Sequence, residues 1–245
     1  MSYHDAVKYL WMLNRTDYLE ELAYQLIVAI KQLHQWGIRH SDIQPNNIVV
    51  YVNDNCQSVK TATKDLIGSN DRPNQSSWVK LFLIDFSSSS SRRKVRSSSI
   101  TDFFSCKELL EKSWLQYAKV SKTSKSVDIV SVGYLLFMTF TGKNLMQLIY
   151  EQIIDCDPKF SSQWENLPRG KLFKWVADST IMQQDTNQML EAYEGVGILT
   201  QQRIEMIKAC IEPIPDERCP ISVLQGEFLE SLNPTRQIEN GCSHH

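Results

Sequence analysis

The stretch RHSDIQPNNIVVYV, residues 39–52, joins a polar loop to a β-branched run, and an amphipathic segment leads straight into it. From Asp17 the apolar positions Leu19, Leu22, Leu26, Ile30 and Leu33 recur every three or four residues, which places them on one face of a helix. Asp17 followed by Glu20 reads as a capping box, and Gly37 supplies the stop. Asp5 to Leu13 reads as a shorter helix ahead of it. Ile48–Val52 and residues 79–84 (VKLFLI) then read as two strands of a hairpin. Such a hairpin brings Asn47, just before the first strand, and Asp85, just after the second, to one end, whatever the length of chain between the strands.

That connection, residues 53–78, is rich in Asn, Ser, Lys and Asp and has no sustained periodicity, so a polar hairpin insertion is expected there. A basic low-complexity run follows, SSSSSRRKVRSSS at 87–99; its plainest reading is a solvated loop, with a localisation signal or nucleic-acid contact as alternatives. From about Phe103 to Leu232 the chain reads as mostly helical, and Asp128 to Phe140 is apolar nearly all round, as suits the central helix of a bundle. The expected class is mainly α: a helical bundle with a short β-hairpin carrying two loops.

Bulk properties narrow the partners. With 42% apolar and 22% charged residues and a net charge of -2, the chain is of ordinary soluble composition, with no global pull toward nucleic acid or an anionic membrane. Its six cysteines, Cys56, Cys106, Cys156, Cys210, Cys219 and Cys242, form no C-x-x-C pair, and free thiols in a reducing compartment are expected. The N-terminal residues lack the basic-then-apolar order of a signal peptide, and the longest apolar stretch, Ile129 to Phe140, is broken by Ser131, Gly133 and Thr139. The expected location is cytoplasmic or nuclear, with no membrane span.

The two loops suggest chemistry. Transfer of a γ-phosphoryl group needs a residue that orients the attacking hydroxyl, oxygen ligands for Mg²⁺ and positive charge on the phosphates. Asp42 is placed to accept the hydroxyl proton, Asn47 to offer an amide oxygen to the metal from the same loop, and Asp85 to add a carboxylate. Taken singly, each has an ordinary reading as a turn or strand-end residue. It is their order that those readings leave unexplained.

His40–Asn47 followed by Asp85-Phe86-Ser87 resembles the catalytic loop and metal-binding segment of the eukaryotic-type protein kinases, H-R-D-x-x-x-x-N and D-F-G. Further along, Asp128-Ile129-Val130-Ser131-Val132-Gly133 resembles the D-x-W-S-x-G start of that family's central helix, whose aspartate accepts backbone N–H bonds from the catalytic loop. Pro215-Asp216-Glu217-Arg218 resembles a late turn whose arginine pairs with the glutamate ending the activation segment. Glu108, in SCKELL, stands at that glutamate's place. The resemblance implies a protein-kinase-like C-lobe over residues 1–232, an activation segment at 85–108 and a tail at 233–245. It implies ATP and Mg as cofactors, a protein Ser or Thr as acceptor, Asp42 and Gln44 as catalytic-loop residues, Asn47 and Asp85 as metal and cofactor ligands, and His40, Asp128, Glu108 and Arg218 as structural residues.

The departures carry equal weight. In that family a smaller lobe precedes this helix and brings a glycine-rich loop and a lysine to the phosphates. The residues before Asp17 contain no glycine and read as one helix, so the expectation is a C-lobe whose N-lobe is missing. Gln44 stands where Ser/Thr kinases carry a lysine on the transferred phosphate, Ser41 replaces the arginine of H-R-D, and Ser87 replaces the glycine of D-F-G. The expected outcome is an impaired phosphotransferase or a pseudokinase-type interaction module, with a protein substrate or partner on the surface left facing the missing lobe. A small-molecule phosphotransferase fits less well, since it has no need of Pro215–Arg218.

Overall fold

A computed structural model of the chain describes residues 1–53, 79–89, 125–156, 180–212, 214 and 216–232. Seven α-helices, α1 (Tyr3–Met12), α2 (Thr16–Gln35), α3 (Ser126–Thr141), α4 (Leu145–Cys156), α5 (Thr180–Ala192), α6 (Gln201–Ile211) and α7 (Ile221–Ser231), two strands, β1 (Ile48–Val52) and β2 (Val79–Leu83), and two short helical turns, Pro45–Asn47 and Phe86–Ser88, make up the described elements. The described residues are mainly helical, as the periodicity indicates. Residues 54–78 of the insertion, 90–108 of the expected activation segment with Glu108, Pro215 and the 233–245 tail lie outside the described residues.

α3 organises the packing. Every residue from Val127 to Thr141 is buried, and α2 and α6 flank it. Gly133 lets α6 come close: a Cβ there would stand 2.8 Å from Cys210 Cβ and from Ile211 Cγ2. Cys210 and Cys219 are free and buried, and burial pushes the Cys219 thiol up to about 11.

The capping expectation needs correction. α2 starts at Thr16 with Arg15 as its cap residue and no side-chain cap bond. Asp17 is held instead by Arg15 Nε at 3.3 Å, and Glu20 is taken by the buried guanidinium of Arg203 on α6, so neither is left to close a box. The reciprocal cap is at α1, where Ser2 Oγ accepts from the Asp5 N–H at 3.2 Å and donates to Asp5 Oδ2 at 2.6 Å.

β1 and β2 pair antiparallel, from Ile48 opposite Leu83 to Val52 opposite Val79. β2 stops at Leu83, one residue short of the expected strand, although the Ile84 N–H still donates to Asn47 O at 2.9 Å. Ile48, Val50 and Val79 turn into the core, and the alternate residues Val49, Tyr51, Phe82 and Ile84 are exposed. The outer edge of β2 is covered by a side chain of α2: the Leu81 N–H donates to Gln25 Oε1 at 2.9 Å and Gln25 Nε2 donates to Val79 O, as a neighbouring strand would. Among the described residues no helix is long and apolar enough to cross a membrane.

Candidate active site

The loop is delivered by the end of α2. Gly37 takes φ +77, and the Ile38 N–H returns to Leu33 O at 2.9 Å, closing the helix and turning the chain toward the start of α3. There the Asp128 carboxylate accepts from the backbone N–H of His40 at 3.0 Å, from that of Ser41 at 2.8 Å, and from His34 Nε2 at 2.9 Å. Asp128 is 1% exposed, so these bonds form where water does not compete. They hold Ser41 at φ +64, a left-handed conformation unusual for serine, which bends the loop and aims Asp42.

Asp42 is buried and gripped by amides of its own loop. Gln44 Nε2 donates to both carboxylate oxygens, at 3.1 and 3.2 Å. Asn47 Nδ2 donates to Asp42 Oδ2 at 2.8 Å and to the Asp42 carbonyl at 2.9 Å. With its nitrogen committed to Asp42, the Asn47 side chain has its oxygen left for another partner. The short helical turn Pro45–Asn47 sets this geometry, and the Ile84 bond to Asn47 O fixes the end of β2 beside it.

His40 joins this loop to the segment after β2. Its Nε2 lies 3.1 Å from Ile84 O, which can only accept, so Nε2 carries the proton and the buried Nδ1 has no hydrogen-bond partner among the described residues. Its ring lies 4.9 Å from that of Phe86, and its carbonyl accepts from Ser89 Oγ at 3.2 Å. Between these contacts Asp85 stands exposed at φ +58, its carboxylate accepting from the Ser87 N–H at 3.2 Å. The Ser87 hydroxyl and then its backbone N–H hold the Asp85 carboxyl below the usual carboxylate range, so it is ionised at neutral pH.

Arg218 is buried at the same end of α3 as Asp128, its Nε donating to Glu212 O at 2.6 Å and its Nη1 to Ser126 O at 3.3 Å. It braces the start of α3; its expected partner Glu108 lies outside the described residues. Asp42, Gln44, Asn47, Asp85, His40 and Asp128 are thus one connected group, with Arg218 behind it. A cavity of about 490 Å³ between the ends of α2, α3 and α7 includes His34, Lys125 and Arg218 in its lining, and none of Asp42, Asn47 or Asp85 reaches it.

Sequence reasoning missed His34, whose imidazole completes the Asp128 bonds. Its signal was a polar residue within the buried stripe of Ile27, Ile30 and Leu33, where only a buried partner makes it tolerable. Arg39 was missed as well: it is buried, and desolvation lowers its pKa against the opposing pull of Asp128. Among the described residues no three His, Cys, Asp or Glu side chains converge as metal ligands. A cation here would draw on one carboxylate, one amide oxygen and its ligand's own oxygens, the mode typical of Mg²⁺ with phosphates.

The model of the protein kinase domain family matches residues 4–229. Among curated proteins, the chain is 26% identical over 134 residues to the "Sensor for unfolded proteins in the ER ire1" of Schizosaccharomyces pombe, a match covering 51% of this chain and 12% of that protein. Among solved structures it is similar to "Crystal structure of Rad53 kinase domain and SCD2 in complex with AMPPNP", with a TM-score of 0.47 and 15% identity over 88% of this chain and 59% of that one. The chain therefore spans a minor part of the curated relative. The family match gives no support to the expected loss of an N-lobe.

Proposed function

The chain belongs to the protein kinase domain family, matched over residues 4–229, and on that footing we propose that its site serves ATP-dependent phosphoryl transfer to a protein Ser or Thr hydroxyl. The observation that carries this reading is the closure of one hydrogen-bonded group around Asp42: Asp128 locks the loop, Asn47 holds the carboxylate, and His40 ties the loop to the strand end that presents Asp85. Asp42 holds and orients the attacking hydroxyl and takes its proton. Asn47 Oδ1 and the Asp85 carboxylate fit Mg²⁺, which prefers hard oxygen donors and completes its shell with phosphate and water. When bound, ATP with its metal supplies the phosphoryl group and neutralises part of its charge.

We read the described elements as the helical lobe of such a domain. Its weak point is positive charge: Ser41 and Gln44 are neutral where the resemblance places an arginine and a lysine. Electrostatic stabilisation is usually the largest catalytic term, so the 245-residue chain by itself is expected to transfer phosphate slowly. The test is thermal unfolding with ATP, with and without Mg²⁺, together with transfer to Ser/Thr peptides. A ligand at ~100 times its Kd stabilises by about 2.7 kcal/mol. We expect a Mg²⁺-dependent rise in Tm that Asp85→Ala removes, and a transfer activity that Asp42→Ala removes. A chain with neither response refutes the phosphotransferase reading.

A second reading, a pseudokinase-type interaction module, is favoured by the outward face of the hairpin. Val49, Tyr51, Phe82 and Ile84 form an exposed apolar row beside exposed Phe86. Such a row suits a protein partner.

A further inference from the structure

We propose that Gln44 is a latch on Asp42, closing its carboxylate against an incoming hydroxyl until the Gln44 side chain swings away. The proposal rests on Asp42 being the hydroxyl acceptor and adds a means of control to that site. An ionised carboxylate offers about four lone-pair positions. Asn47 Nδ2 takes one on Oδ2 at 2.8 Å, and Gln44 Nε2 straddles both oxygens at 3.1 and 3.2 Å. Asp42 is only 7% exposed, so little of the carboxylate is open to a hydroxyl while both amides are in place.

The two amides differ in their freedom to leave. Asn47 is buried, makes a second side-chain bond to the Asp42 carbonyl at 2.9 Å, and is pinned through its own carbonyl by Ile84. Gln44 is half-buried, caps no helix with its side chain, and among the described residues its side chain bonds to Asp42 alone, through two longer contacts. Asn47 is therefore the fixed donor and Gln44 the removable one. The amide nitrogen must face the carboxylate, since an oxygen there would be repelled, and this leaves the carbonyl oxygen as the outward atom. A closed latch thus covers the base and offers an acceptor instead of a donor to any anion beside it. Displacing one hydrogen bond to a charged group slows the hydroxyl's approach by roughly tenfold or more.

Two measurements on the full chain test this. In the first, NMR follows hydrogen exchange of the Gln44 side-chain amide: it exchanges slower than a free glutamine, and Asp42→Ala or Asp42→Asn speeds it several-fold. Exchange at the free rate in the unaltered chain overturns the latch. In the second, peptide phosphorylation is compared for the unaltered chain, Gln44→Ala and Gln44→Lys. Both variants raise kcat, Gln44→Ala by roughly tenfold with the KM for ATP little changed, and Gln44→Lys further because it adds a cation. A rise in Gln44→Lys alone means that only charge is missing and overturns the latch. If no form transfers phosphate, the phosphotransferase reading fails, and the exchange measurement alone decides on the latch.

Discussion

A carboxylate that is 1% exposed is costly unless its lone pairs find donors, and Asp128 finds them in the N–H groups of His40 and Ser41 and the ring of His34. Asp128→Ala would leave three donors without that acceptor and free Ser41 to relax from φ +64. We expect a loss of about 3 kcal/mol in urea unfolding, together with loss of any phosphoryl-transfer activity, because Asp42 is no longer aimed. Asp85 carries a pH prediction. Its folded pKa is depressed by Ser87, so its charge persists as pH falls below the ordinary carboxylate range and is lost only on reaching the lower folded value. In Ser87→Gly, which removes the hydroxyl, Mg²⁺-dependent binding should fade at a higher pH than in the unaltered chain, as read by calorimetric titration. The sequence order of Asp42, Asn47, Asp85 and Asp128 made these residues legible. The grip of Gln44 on Asp42 was not, because it depends on a rotamer that residue spacing does not encode.

Among the elements, β1 and the apolar helix α3 were readable because their patterns are local: a β-branched run for one, burial all round for the other. The start of α2 was misread because it is decided at long range. Asp17 and Glu20 have the spacing of a cap, but Arg203, distant in sequence, claims Glu20 and also lies over the Phe140 ring at 4.9 Å. The approach of α6 to α3 was equally illegible, since a glycine inside a helical run gives no hint of what it faces. Gly133→Ala tests that contact. The added Cβ at 2.8 Å from Cys210 Cβ and Ile211 Cγ2 forces the helices apart, and although alanine favours the helix itself, overpacking should win by about 1–3 kcal/mol. A midpoint shift in urea with an unchanged slope is the expected signature. An unchanged or raised midpoint would show that α6 adjusts freely.

The loops and the hairpin also define a surface. The inner row of the hairpin packs on the core, so its outer row can be changed without opening the core, and Tyr51 at 57% and Phe82 at 53% exposure project from it. That row ends next to Asp85, one of the two proposed metal ligands, so a nucleotide lying against Asn47 and Asp85 and a protein partner on the hairpin would share it in part. Phe82→Ser with Tyr51→Ser separates the two readings. Exposed cross-strand pairs are worth only about 0.2–1 kcal/mol each, so the double variant should unfold within a few degrees of the unaltered chain. If the row is the floor of a nucleotide cleft, the Mg²⁺–ATP shift falls with the substitutions while light scattering stays unchanged. If it is a docking face, scattering shows association in the unaltered chain that the substitutions abolish, and the nucleotide shift survives. A monodisperse chain with an unaltered nucleotide response in both forms would deny the row either role and leave phosphoryl transfer to the loop residues alone.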